Sequence, residues 1–210
     1  MVIITKSKEE VVQEYRIQSI QEATMRVIAR KGMAAATMQE IAEEAGVAKG
    51  TIYLYFRDRD ELVEKTFENA MGQLMAQIDQ ALALNVTFEE KLRAVMTAKL
   101  AFFTENREFI RLYLSLRMPE GNAQQQRRQK QKCEPHYAGR IERLAAVIDE
   151  AIARGEVRPV DSKRLAIFLI EGSTAIMIER LNEESSAAGE GDVDLIVTFV
   201  LDGIRKRSGS

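Results

Sequence analysis

Residues 37 to 62, TMQEIAEEAGVAKGTIYLYFRDRDEL, constrain this chain more than any other stretch. Thr37, Met38, Gln39 and Glu40 spell a capping box, in which the Thr37 hydroxyl accepts from the Glu40 backbone N–H and the Glu40 carboxylate reaches back. Met38, Ile41, Ala42 and Ala45 then fall at i, i+3, i+4 and i+7, one apolar stripe on a helix of about two turns. Gly46 stands where a helix is commonly ended by a residue in the left-handed conformation. Val47, Ile52 and Phe56 give a second short helix its inner face, leaving Lys49, Gly50, Tyr53 and Leu54 outward. Small Ala42 lets the two helices approach, Gly46 makes the turn and Ile52 locks the second helix onto the first. This is the specification of a helix-turn-helix, whose second helix enters the major groove of DNA. An ordinary helical hairpin meets the same apolar pattern, but it has no need of Lys49, Thr51, Tyr53, Tyr55 and Arg59 around one short helix. Those side chains are donors suited to phosphate oxygens and base edges.

Residues 41 to 62, IAEEAGVAKGTIYLYFRDRDEL, resemble the DNA-binding segment of the TetR family of bacterial transcriptional repressors. The likeness extends back through Ile17 to Gly32 as a supporting first helix and covers roughly residues 15 to 65; beyond that it is architectural. The resemblance implies an all-α fold, with an N-terminal three-helix helix-turn-helix domain over residues 1–58. A C-terminal helical domain for effector binding and dimerisation then takes residues 59–210. It implies phosphate contacts from Thr37, Thr51, Tyr55 and Arg59, with Lys49, Gly50 and Tyr53 nearest base edges and Leu54 on the same outward face. Ala48 departs from the pattern, standing where many members carry a serine or threonine cap. Lacking that acceptor costs the recognition helix about 1 kcal/mol of local stability.

Composition agrees. Only three prolines and twelve glycines, among abundant Ala, Leu, Glu, Lys, Arg, Gln and Met, favour a helical protein. No run of eighteen apolar residues is present, so no membrane span is expected, and MVIITKSKEEVV has no secretory pattern. The single cysteine, Cys133, excludes an intramolecular disulfide and suits a reducing cytoplasm. Charge fits less well, since residues 1 to 62 hold nine Lys/Arg against ten Asp/Glu, and DNA-binding domains are usually more basic. The distribution helps, with Lys49, Arg57 and Arg59 on or beside the recognition helix and Lys6 and Lys8 in an expected flexible arm.

About nine helices are expected in all. A long fourth helix begins near Arg59, with Asp60 and Glu61 in its first turn where the helix dipole favours them. Two more are expected over 87–105 and 107–117, and Pro135 is expected to open another that Gly155 stops. The intervening Gln-rich basic segment 121–133 has no clear pattern. The last two helices carry the assembly argument. Residues 165–178 are apolar nearly all round, which demands burial on more than one side. The last helix repeats Val193, Ile196, Phe199, Val200 and Ile204. Self-complementary packing of two helices from each subunit is expected to use Phe168, Gly172, Ala175, Ile196, Phe199 and Val200; the alternative is burial within one subunit.

Between the head and these helices lies material for a pocket. Met71, Met75, Met96, Phe103, Phe109, Tyr113 and Tyr137 are candidate walls, because flexible, polarizable methionine suits an adaptable cavity, although core packing explains most of them equally. Glu171, a carboxylate inside an apolar run, is paired, displayed at a groove or turned to a ligand. Catalytic motifs are missing: one histidine, His136, and one cysteine make no zinc quartet, and no nucleophile elbow or phosphate loop appears. Gly189-Glu190-Gly191 fails the dinucleotide pattern at its end. The expectation is a cytoplasmic, homodimeric, ligand-responsive transcriptional repressor, with no cofactor, metal or enzymatic activity. Its partners are a palindromic double-stranded DNA operator and a mainly apolar small molecule. The competing readings are a helical protein-interaction module without DNA activity and a DNA-binding protein with no effector.

Overall fold

The structure, a computed structural model, describes the backbone of residues 7–117, 123–182 and 190–204, and within these all side chains but those of 115–136, 181, 182 and 190. Among the described residues there are nine α-helices and no strand: α1 (Lys8–Lys31), α2 (Met38–Glu44), α3 (Lys49–Ile52), α4 (Arg59–Leu82), α5 (Phe88–Glu105), α6 (Arg107–Arg117), α7 (Ala123–Ala153), α8 (Ser162–Asn182) and α9 (Glu190–Ile204). Their starts are written locally. Ser7, Thr37 and Thr87 each cap a helix and meet a glutamate three residues on (Glu10, Glu40 and Glu90), with both reciprocal bonds formed. Gly46, at φ +67°, makes the turn after α2 where a side chain would be strained.

Two expectations are corrected by the backbone. Lys8 opens α1 under the Ser7 cap and is not part of an arm, while Lys6 lies outside the described residues. Pro135 does not open a helix, because α7 already begins at Ala123 and runs through it. The preceding AQQQRRQKQK consists of good helix formers, which propagate the helix upstream at the loss of one backbone bond at the proline. The side chains of 121–133, and of Cys133 and His136, lie outside the described residues.

Packing divides the chain into two units, one of Met1–Met71 with Glu108–Ser115, the other of Gly72–Arg107 with Leu116–Ser210. In the first, Ile20, Ala23, Val27, Ile41, Ala42, Ile52, Phe56 and Leu62 form the core of the helix-turn-helix. Phe67 stacks on Phe109 and Tyr113, ring centroids 5.8 and 6.4 Å away, which fastens α6 to α4. The Arg111 guanidinium donates to the Ala29 carbonyl at 2.9 Å, and the Asn69 amide to Gln21 Oε1 at 2.9 Å. In the second unit α5 packs against α7, α8 and α9. Its buried positions, Phe88, Lys91, Leu92, Val95, Met96, Lys99, Leu100, Phe102 and Phe103, repeat at helical spacing. Arg158 closes α9, its backbone N–H donating to the Ile204 carbonyl and its guanidinium to the Gly203 carbonyl.

Candidate nucleic-acid interface and ligand cavity

The reading head is built from the α2–α3 turn. α3 is only one turn long, but bonds from Leu54 N–H to the Thr51 carbonyl, and from Tyr55 and Phe56 N–H to the Ile52 carbonyl, continue the coil to Phe56. Its N-cap is Ala48, with no side-chain cap bond, as the sequence requires. Ile52 and Phe56 face inward, while Tyr53 is 49% and Leu54 77% exposed, beside exposed Lys49 and Gly50. Thr51 and Tyr55 are half-buried at the edge. Lys49 makes no ion pair among the described residues, which leaves its ammonium available at the face. Thr37 is exposed, its hydroxyl accepting from the Glu40 N–H and donating to the Glu40 carboxylate at 3.0 Å.

The excess acid of this segment is answered inside the head. Glu40 pairs with Lys31, and Glu44 takes bonds from Arg26 at 2.8 Å and Arg30 at 3.1 Å. The Lys31 ammonium, then the Thr37 hydroxyl and N–H, hold the Glu40 carboxyl below its ordinary range; the Arg26 and Arg30 guanidinia do the same for Glu44. At the start of α4, Asp58 accepts from the Glu61 N–H at 2.8 Å and from the Arg57 guanidinium at 2.9 Å, which lowers its carboxyl.

Arg59 is placed differently from the expectation of a phosphate contact. One of its terminal nitrogens donates to the Met33 and Ala36 carbonyls at 2.9 and 3.2 Å, tying the α1–α2 loop to the start of α4. The guanidinium is a buttress for the motif. A phosphate would have to compete with those bonds.

The second unit contains a cavity of about 40 Å³. Leu74, Met75, Ile78, Leu82, Val95, Met96, Leu144 and Ile170 make apolar walls, and Lys99, Arg140, Arg143 and Ser173 add polar groups. Of the candidate pocket residues, Met75 and Met96 are at this cavity and the others are not. Met71, Phe109 and Tyr113 are buried in the first unit, the two rings packed on Phe67. Phe103 is buried edge-on to Phe102, and half-buried Tyr137 lies under the Arg140 guanidinium. Glu171 is half-buried on α8 away from the lining. The cationic lining was missed in the sequence, although Lys99 falls three residues after Met96 and four before Phe103, on the inner face of α5. That spacing was the available signal.

The last two helices present an apolar outer face. Phe168 and Phe199 are 52% and 66% exposed and stack at 6.3 Å, with exposed Ile167, Leu195 and Ala175 and half-buried Gly172 nearby in sequence. Ile196 and Val200, expected at an interface between subunits, are instead buried within the protomer. α9 is apolar on several sides, so its pattern alone does not fix which side faces the core. Leu195 takes their place on the outer face.

Residues 20–66 match the family model described as bacterial regulatory proteins, tetR family. This stretch is a TetR-type DNA-binding domain. The chain is 27% identical over 158 residues to the fatty acid metabolism regulator protein of Bacillus subtilis (strain 168), an overlap of 75% of this chain and 79% of that one. It is 23% identical over 189 residues to the HTH-type transcriptional regulator YhgD of the same organism, covering 90% of this chain and 96% of that one. The solved structure of the fatty acid degradation regulator FadR from Bacillus halodurans shares its fold, with a TM-score of 0.77 at 19% identity over 97% of this chain and 100% of that one. The matched stretch is therefore a DNA-binding helix-turn-helix of the TetR type, set in a chain whose described residues are all-α. No helix among the described residues is long and apolar enough to cross a membrane.

Proposed function

We propose that this protein is a dimeric repressor that binds a palindromic operator and is released by a small molecule with a large apolar part. Lys49, Gly50, Tyr53 and Leu54 meet base edges in the major groove, and Thr37, Thr51 and Tyr55 meet phosphates on either side. Arg59 acts behind them by holding the α1–α2 loop. Two heads read half-sites one helical turn, about 34–36 Å, or a multiple of it apart. The exposed Phe168, Leu195 and Phe199 are the self-complementary surface that joins two copies.

The observation that carries the effector reading is the cavity between α4, α5, α7 and α8, with flexible Met75 and Met96 in its walls. It is far below the roughly 300–1,000 Å³ of a ligand-filled pocket, so an effector must select a state in which these helices stand farther apart. α4 contributes residues to both units, and its displacement changes the spacing of the heads. The B. subtilis relative is named for fatty acid metabolism, and a hydrocarbon chain is what such walls accept.

The test is selection of bound sequences from a random DNA pool, followed by anisotropy of the labelled operator with fatty acids and their derivatives present. A palindrome released by an effector supports the reading. DNA weakens effector binding by the same factor, because the coupling is reciprocal. Binding of a compound with no change in operator affinity would leave a DNA-binding protein without that effector. Failure to select any DNA would favour a helical interaction module.

A further inference from the structure

The cavity of the second unit is enclosed unevenly. Its α5 and α8 lining residues are all buried, and so is Leu74 on α4, but Met75, Ile78 and Leu82 of α4 are only half-buried. α5 packs closely on α7, α8 and α9, and α7 on α8, while α4 makes no comparable approach to any of them. The α4 wall is therefore the loose side. Between Glu68 and Glu89 the only charged residue is Asp79. It follows Ile78 by one position and Met75 by four, which sets it at the solvent edge of the apolar stripe. Its cation comes from α7, where Arg143 Nη1 donates to both carboxylate oxygens, at 2.9 and 2.8 Å. Arg143 itself borders the cavity beside Leu144, and its acidic neighbour Glu142 is engaged by Lys163 of α8 at 2.8 Å. Among the described residues no other hydrogen bond or ion pair joins residues 72–82 to another helix.

We infer that the Asp79–Arg143 pair is a latch that holds α4 over the cavity and controls entry to it. This rests on the effector reading above and adds how that site opens. The half exposure of both side chains suits them to the part. A buried pair would leave stranded charges when α4 moved away, whereas this carboxylate and guanidinium rehydrate as they separate. The latch biases closure without locking it, because an exposed pair shifts an equilibrium by a factor of only about two to five. Closed, it keeps Met75, Ile78 and Leu82 near the buried walls. Open, the same side chains line a wider space that an apolar molecule can fill. A ligand shifts that equilibrium only by its differential affinity for the two states, so a weaker latch lowers the concentration it needs.

Charge reversal tests this on the full chain, with the uncharged probe N-phenyl-1-naphthylamine, whose fluorescence rises in apolar surroundings. Asp79→Arg and Arg143→Asp each replace attraction by repulsion and are expected to bind the probe about fivefold more tightly. Amide hydrogen exchange over residues 72–82, measured without ligand or DNA, is expected to quicken by about the same factor, with residues 88–105 unchanged. The doubly reversed protein restores the pair with its ends exchanged and is expected to return to both original values. Unchanged probe affinity or unchanged exchange in both single variants overturns the inference. So does a folded double variant that behaves as the sum of the single ones, since each side chain would then act by itself. Asp79→Asn, which removes the charge and keeps the shape, replaces a reversal that does not fold, with a change of about twofold expected. If the probe binds none of these proteins, the exchange decides alone. Operator release is measured separately: tighter probe binding without release refutes the effector reading and leaves the latch, whereas release that is equal in all variants does the reverse.

Discussion

Lys49 and Arg59 are both basic residues of the reading head, and hydrogen bonding separates their roles. Lys49 is exposed on the outward face and makes no ion pair among the described residues, whereas Arg59 spends a terminal nitrogen on the Met33 and Ala36 carbonyls. Lys49→Ala should therefore weaken operator binding and flatten its dependence on salt by about one unit of slope, one counterion's worth. Arg59→Ala should weaken binding with the slope unchanged, and should lower the protein's stability by about 1–2 kcal/mol through the lost carbonyl bonds. Anisotropy titrations at several salt concentrations separate the two. A flattened slope for Arg59→Ala would return that residue to the phosphate contacts. Tyr53→Ala should cost affinity without touching helicity, since the side chain is half exposed on the outer face of α3.

At the scale of helices, three carboxylates fasten the head: Glu40 and Glu44 hold α2 to α1, and Asp58 caps α4. Each has its pKa lowered in the folded state by the bonds it accepts. A lowered folded pKa contributes stability that is complete above the unfolded value and is lost as pH falls through the folded one. The head should therefore lose stability on acidification through and below the ordinary carboxylate range, and not on going from neutral to alkaline pH. Thermal melts across that range should show a shallower acid loss for Glu44→Gln; an identical pH profile would mean that its pairs with Arg26 and Arg30 contribute nothing. These elements were largely legible in the sequence because capping is local: Thr37 with Glu40, Thr87 before Glu90, Gly46 and Gly155 all act within four residues. The Arg59 buttress was not, since it joins residues 26 and 23 positions apart. Nor was the packing of Phe109 and Tyr113 on Phe67, where aromatic residues at helical spacing read equally as core or as pocket wall. The charge of Lys99 argues for the surface, whereas its spacing on α5 places it inside.

For the whole molecule, the apolar character of α9 hides a division that two substitutions expose. Phe199 is 66% exposed, while Val200 is 4% exposed and belongs to the protomer's own core. Phe199→Asp should give a folded monomer with weakened operator binding, because it removes an anchor of the surface between copies. Val200→Asp should unfold the second unit, since an unpaired buried carboxylate costs several kcal/mol. Sedimentation and circular dichroism distinguish them, and a folded Phe199→Asp dimer would place the interface elsewhere. The cavity makes a matching demand on the coupling between ligand and DNA. Met75→Phe adds a rigid ring to a space of about 40 Å³ and replaces a side chain able to yield. A ligand shifts an equilibrium only by its differential affinity for the two states. Raising the cost of the widened state should therefore raise the effector concentration needed for release, with operator affinity in its absence unchanged or slightly increased. Equal effector response in Met75→Phe, at equal stability, would mean that the ligand does not enter between α4 and α5.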